Sequence, residues 1–206
     1  MQALSIVRPL HSSHLSMTSH VVQMGSHRRE PAEAFIRTVF AQQYGARVPS
    51  FAPELMVLEQ NAEIVAAAGW RGAGGGPLYL EYYLDQPVEA YIARLAGHPV
   101  MRDRVVEVGN LAAVKAGWGS RMILALAAHL DRLGYEWVAF TATDELIGIF
   151  AKLGLPPLAL MQANPHRLGN AAQAWGSYYD MKPVVVAGCI RPALERIARQ
   201  RKEHHA

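Results

Sequence analysis

Val105-Val-Glu-Val-Gly-Asn-Leu-Ala-Ala-Val114, Lys115-Ala-Gly-Trp-Gly-Ser120 and Arg121-Met-Ile-Leu-Ala-Leu-Ala-Ala-His-Leu-Asp-Arg-Leu133 run on without a break, and their reading decides the fold. Arg104 to Val114 holds Val105, Val106, Val108, Leu111 and Val114 and predicts the central strand of a sheet. Ala116 to Ser120 carries two glycines separated by one residue and predicts a turn. From Arg121 to Leu133, Ile123, Leu126, Ala127, Leu130 and Leu133 share one helical face, with Arg121, Asp131 and Arg132 away from it. Gly134 stops that helix, and the aromatic, β-branched run Glu136 to Thr143 predicts the next strand. A glycine turn at the head of a helix lets a phosphate approach free backbone N–H groups at the positive end of the dipole. The same turn also serves as a tight strand-to-helix connection that binds nothing.

Working outward, Glu30-Pro31 opens a helix in which Phe35, Ile36, Val39 and Phe40 recur at helical spacing up to Gly45. Leu55 to Glu59 and Glu63 to Arg71 predict two strands around a turn at Gln60-Asn61. Ile64, Ala66, Ala68 and Trp70 fall on one face of the second by alternation. Gly72 to Pro77 is a glycine-rich loop, Leu78 to Leu84 reads as either a strand or a short helix, and Pro87 to Leu95 is helical up to Gly97. Asp144 is an N-cap for a helix through Leu146, Phe150 and Leu153 that ends at Gly154. Leu158 to Met161 and Pro183 to Ala187 predict the last strands, before a basic helix from Pro192 onward.

The 206 residues are 51% hydrophobic and 18% charged, the balance of an ordinary globular protein. No repeat or composition break divides 30–190, which predicts one domain over 26–206 after a loosely ordered arm, 1–25. An edge strand around Ser5 to Val7 is the alternative reading of that arm. The net charge of +3, with no Lys/Arg run interleaved with aromatics, argues against a nucleic-acid partner. Cys189 is the only cysteine, so no intramolecular disulfide is expected, and the cytoplasm is the expected compartment. The chain has no apolar run long enough for a transmembrane helix, and its first twenty residues lack the apolar core of a signal peptide. The histidines at 11, 14, 20, 27, 204 and 205 lack further ligands in ordered segments, and no metal is expected.

Glu107-Val-Gly-Asn110-Leu111-Ala112, Trp137-Val-Ala-Phe140-Thr141-Ala-Thr143 and Phe150-Ala-Lys-Leu-Gly154-Leu carry a family likeness. So do Pro165-His-Arg167-Leu168 and Trp175-Gly-Ser-Tyr178-Tyr179-Asp180 with Pro183. Together they resemble the bacterial thermostable haemolysin family. That resemblance implies an α/β, GNAT-like (acyl-CoA N-acyltransferase) fold, a central mixed sheet with helices on both faces, like that of acyl-homoserine lactone synthases. Acetyltransferase-like folds hold the carrier pyrophosphate on a loop of form Gln/Arg-x-x-Gly-x-Gly/Ala. Here Val114-Lys-Ala-Gly117-Trp-Gly119 matches both glycines, with the basic residue one position late at Lys115. The resemblance thus implies donor binding by Lys115, Gly117, Trp118, Gly119, Ser120 and Arg121. The donor is acyl-CoA or the phosphopantetheine of an acyl carrier protein, with no permanently bound cofactor.

Among single residues, Glu107 reads as the base that deprotonates an amine acceptor, or as the partner of an arginine at the strand end. Asn110 orients the acceptor or bonds an exposed strand edge. Tyr178 and Tyr179 donate a proton to the departing thiolate or sit in the core with one satisfied hydroxyl. Thr141, Thr143, Trp175 and Tyr179 are placed on the substrate groove, though threonine and tryptophan there also suit plain packing. Cys189 reads as a small buried hydrophobe. Arg191, Arg196, Arg199, Arg201 and Lys202 form a solvated helix face or a dock for an acidic carrier protein.

The function expected is therefore transfer of an acyl group from a thioester carrier to a small amine. Two other classes stay open: a membrane-damaging haemolysin, and a non-catalytic ligand-binding domain of the same fold.

Overall fold

The computed structural model describes residues 17–203. Seven strands make one sheet, ordered β1-β2-β3-β4-β5-β7-β6: β1 (Met17–Val22), β2 (Glu54–Gln60), β3 (Glu63–Gly72), β4 (Val105–Ala113), β5 (Trp137–Ala142), β6 (Leu158–Gln162) and β7 (Val184–Cys189). Every neighbouring pair is antiparallel except β4 and β5, which run parallel. A parallel pair needs a crossover, and α3 (Ala116–Arg132) supplies it. The sheet is mixed and helices cover both faces. α1 (Arg29–Tyr44) and α2 (Val88–Ala96) lie on one face. On the other are α3, α4 (Asp144–Lys152) and α5 (Ile190–Glu203).

Apolar periodicity drives the packing. On α3, Met122, Leu126 and Leu130 are buried against Met56, Ala66, Ala68, Trp70 and Val106. Burial of such side chains stabilises by about 1.5–3 kcal/mol each. The buried stripe is turned from the expected one. Met122 belongs to it, whereas Leu133, past the last turn, is 55% exposed. On the opposite face, Ile36 and Phe40 of α1 pack on Leu55, Val57 and Ala67.

Several expectations need correction. The stretch read as a loose arm contributes strand β1, paired along its length with β2; Ser5 to Val7 lies outside the described residues. The segment Ala116 to Ser120 is the first turn of α3 rather than a turn before it. Neither Gly117 nor Gly119 takes a positive φ, so nothing in the backbone breaks the helix there. Thr143, not Asp144, caps α4: its hydroxyl accepts the Leu146 N–H at 3.5 Å. The β2–β3 turn rests on Asn61 and Ala62, both left-handed, one residue later than expected. A bulge at Val65 then reverses the alternation, so Ile64 packs with α1 while Ala66, Ala68 and Trp70 face α3. Leu78 to Leu84 resolves as a 3-10 turn, Tyr79–Tyr83.

Candidate functional site

The site grows from the middle of β4. β4 pairs with β5 only from Val105↔Trp137 to Val108↔Phe140, although β4 continues to Ala113 and β5 to Ala142. The two strands part beyond that point, which leaves alternate peptide groups of Gly109 to Ala113 without a β5 partner at the opening. The cause is local. One extra residue enters β4 opposite the Ala67–Gly69 step of β3, and Asn110 there takes φ 52°. Asparagine tolerates that conformation better than most residues because its side chain can bond locally. Its Oδ1 accepts the Ala52 N–H at 3.0 Å and its Nδ2 donates to the Ser50 carbonyl at 3.4 Å. Asn110 thereby fastens the segment before β2 against the opening. Its partners lie in the loop before β2, not on the exposed strand edge expected for it.

Glu107, three residues earlier, faces the α1/α2 side. Its carboxylate accepts two backbone N–H groups of the 3-10 turn, Tyr79 at 2.8 Å and Leu80 at 2.7 Å. Burial raises its pKa above the ordinary carboxylate value, against the pull of those two N–H groups and of Arg71. Arg71 stands directly across the β3–β4 ladder from it. The two make no contact ion pair among the described residues, yet Arg71 is the arginine whose charge acts on the Glu107 carboxylate at the strand end.

A cavity of about 900 Å³ follows the opening and spans both faces of the sheet. On the α1/α2 side it is an aromatic chamber lined by Phe40, Tyr44, Tyr79, Trp175, Tyr178 and Tyr179, with Glu107 and Arg71 in its wall. The rings touch edge to face: Tyr44 on Tyr178 at 5.3 Å and Tyr178 on Tyr179 at 5.3 Å. Trp175 Nε1 donates to the Tyr79 hydroxyl at 3.0 Å, and the Tyr83 and Tyr179 hydroxyls meet at 2.5 Å. Burial raises the Tyr178 pKa and pushes that of Tyr179 up to about 12. Both phenols therefore stay protonated at neutral pH.

On the other side the cavity is an aliphatic lobe between α3, α4 and α5, with Met122, Leu126, Phe140, Ile149, Leu194 and Ile197 among its walls. Lys115 lines it at the head of α3, and Arg196 and Arg199 line it from α5. No side chain caps α3.

Residues 22–194 match the family model described as Thermostable hemolysin. The chain belongs to the thermostable haemolysin family. No individually curated protein sequence matches it. Solved structures show what fold this family member shares. The AHL synthase LasI matches with a TM-score of 0.60 at 10% identity, over 87% of this chain and 95% of its own. BjaI, a CoA-dependent acyl-homoserine lactone synthase solved with SAM and isopentyl-CoA, gives 0.61 at 12% identity, over 90% and 89%. FeeM, an N-acyl amino acid synthase from uncultured soil microbes, gives 0.56 at 12% identity, over 86% and 91%. The fold of this haemolysin-family chain is GNAT-like, shared with those synthases.

The cavity brings together Glu107, Asn110, Lys115, Gly119, Thr141, Thr143, Trp175, Tyr178 and Tyr179 of the residues singled out in the sequence. Gly117, Trp118, Ser120 and Arg121 lie outside its lining. Because the helix begins at Ala116, its cavity face is Gly119, Met122, Ile123 and Leu126, and Trp118 and Arg121 point elsewhere. The Arg121 guanidinium stacks on Trp118 at 4.7 Å and reaches the Met17 sulfur of β1 at 3.8 Å. Cys189 also lines the cavity, with burial raising its thiol pKa. Sequence reasoning missed Arg71, Tyr44 and Tyr79. The one local signal for the last was the tyrosine cluster at 79, 82 and 83. Among the described residues no three His, Cys, Asp or Glu side chains group as metal ligands, and no helix is long and apolar enough to cross a membrane.

Proposed function

We propose that the protein is an acyltransferase that moves an acyl group from a thioester carrier to the amine of a small acceptor. The observation that carries this is the passage through the sheet where β4 and β5 part. It joins an apolar lobe with a cationic rim to a chamber with a buried carboxylate. The fold shared with acyl-homoserine lactone and N-acyl amino acid synthases supports the same reading.

The donor, acyl-CoA or an acyl carrier protein's phosphopantetheine, enters from the α3/α4 side. The N–H groups at the head of α3 and Lys115 receive its phosphate, and its thioester lies in the opening. Peptide N–H groups of Gly109 to Ala113 polarise the carbonyl. Exposed Arg191 and Lys202 on α5 attract an acidic carrier protein, and the cytoplasm supplies one. The acceptor's ammonium stands in the aromatic chamber and passes a proton to Glu107 through water. The free amine attacks the thioester carbon; the C–N bond forms, the C–S bond breaks and the carrier thiolate leaves. Tyr178 is a weaker acid than a free phenol, so it steadies the leaving sulfur with a hydrogen bond. The second proton lost from nitrogen completes the thiol.

Purified protein incubated with acyl-CoA or acyl carrier protein and a panel of amines should yield an N-acyl product by mass spectrometry. Absence of product with both donors, together with no thermal shift from either, would sink the reading. A base acts only when deprotonated, so the wild-type rate should fall as pH drops through the raised pKa of Glu107. Glu107→Gln should bind donor normally, lose about 10²-fold or more in rate and lose that acid limb. An unchanged pH profile removes Glu107 as the base.

A further inference from the structure

Arg71 is a charged group in the chamber wall that the transfer step leaves unused. It faces Glu107 across the β3–β4 ladder, and both side chains line the α1/α2 half of the cavity. Three other arginines on that side of the sheet are tied down. Arg29 holds Glu33 at 2.7 Å and two backbone carbonyls, Arg102 holds Glu81 and Glu89, and Arg167 holds Asp85. Among the described residues, no carboxylate stands within ion-pair distance of Arg71. A half-buried guanidinium whose nearest anion, Glu107, acts on it only at a distance keeps its N–H groups free for a ligand or solvent. Its planar fork suits a carboxylate held by two parallel hydrogen bonds.

The neighbouring charges set the geometry. Directly opposed residues on adjacent strands have Cβ atoms about 5 Å apart, so one cation and one anion project side by side into the chamber. The Glu107 oxygens accept one N–H each and keep lone pairs for a further donor. An ammonium beside Glu107 and a carboxylate on Arg71 would belong to a single small zwitterion. Past them the walls are the rings of Phe40, Tyr44, Tyr79, Trp175 and Tyr178. The cations of the donor half, Lys115, Arg196 and Arg199, stand on α3 and α5 across the sheet, so Arg71 is not one of the phosphate's contacts.

We propose that the acceptor is an α-amino acid with a bulky apolar or aromatic side chain, whose carboxylate is received by Arg71. This rests on the acyl-transfer reading above and names its acceptor. The test pairs each acid with the amine that lacks only the carboxylate: phenylalanine with phenethylamine, tyrosine with tyramine. With a competent acyl donor, wild-type kcat/KM should favour the acid at least tenfold. Arg71→Gln should erase that preference by raising the acceptor KM at least tenfold while leaving the donor KM unchanged. Arg71→Lys, which keeps the charge but not the fork, should fall between. Acylation of acid and amine at equal rates would overturn the acceptor assignment and leave acyl transfer standing. A second readout needs no turnover: phenylalanine or tyrosine should raise the melting temperature of the wild type and not of Arg71→Gln. Protection that depends on Arg71, without any acylation, would uphold the carboxylate site and overturn the transfer reaction. No protection by any amino acid, or equal protection by the amines, overturns the proposal.

Discussion

Two glycine-bearing segments border the cavity, and they are glycine-rich for opposite reasons. In the long 3-10 connection between β6 and β7, Gly176 takes φ 54°. A Cβ placed on it would overlap the Tyr44 carbonyl oxygen at the end of α1. The Arg47 N–H donates to the Ala174 carbonyl at 2.6 Å, and the Ser177 hydroxyl to that of Tyr44, so the segment is clasped to α1. Gly176 is needed by the chain itself. At the head of α3 the reverse holds. A Cβ on Gly117 would meet nothing within 4 Å, and one on Gly119 only the Ala113 Cβ at an ordinary 3.9 Å. The folded chain does not require those two glycines. Glycine at the first place makes room for backbone and at the second leaves room for something else.

Substitution at Gly176 should have the largest effect. Gly176→Ala should destabilise the protein by about 3 kcal/mol or more in chemical denaturation, from backbone strain and overlap together. It should also disturb the chamber, because Trp175 and Tyr178 flank it. A loss below about 0.5 kcal/mol would show that the clasp to α1 is slack.

Next in size is Gly119→Asp. A carboxylate beside the donor's phosphate should cut donor affinity at least tenfold, about 1.4 kcal/mol, by calorimetry. The same variant should keep its folding stability within about 1 kcal/mol, since anions are tolerated at a helix N-terminus. Equal donor affinity in a folded variant would remove the α3 head from the site.

The smallest effect sharpens the contrast. Gly117→Ala should raise stability by about 0.5 kcal/mol, because alanine loses less entropy than glycine in a helix. A fall in stability instead would mean that the chain does need this glycine, and the two segments would then be alike.

Most of the scaffold was legible because it rests on short-range patterns. α1, α2, β4 and β5 announce themselves through periods of 3.6 or 2 and through Gly45 and Gly97, both left-handed helix stops. β1 did not, because Val22 is its one buried residue and the rest is polar or exposed. The start of α3 was misplaced because its glycines look like breakers, while their actual φ values are helical. The 3-10 turn Tyr79–Tyr83 has neither period. The site was half legible. Glu107, Asn110 and Tyr178 drew notice as polar or phenolic groups in a recognisable unit, and all three line the cavity. Arg71 and Tyr79 meet Glu107 only through strand register and a hydrogen bond spanning 28 residues, which local spacing does not encode. Trp118 and Arg121 read as site residues only if a loop precedes the helix; in α3 Trp118 packs on the core cluster and Arg121 lies over it toward β1.

The extra residue at Asn110 bears on which kinds of mutation this sheet can survive. Val106 and Val108 pack toward α3 before it, and Leu111 and Ala113 pack toward α3 after it, a pattern that strict alternation forbids. A point substitution at 110 alters hydrogen bonds and leaves that phase intact. Deletion of a single codon there would remove the extra residue, restore strict alternation with Leu111 and Ala113 still toward α3, and let β4 zip further along β5. The passage would close while every other residue kept its identity. Chain length in β4, more than composition, is what holds the two halves of the molecule in communication.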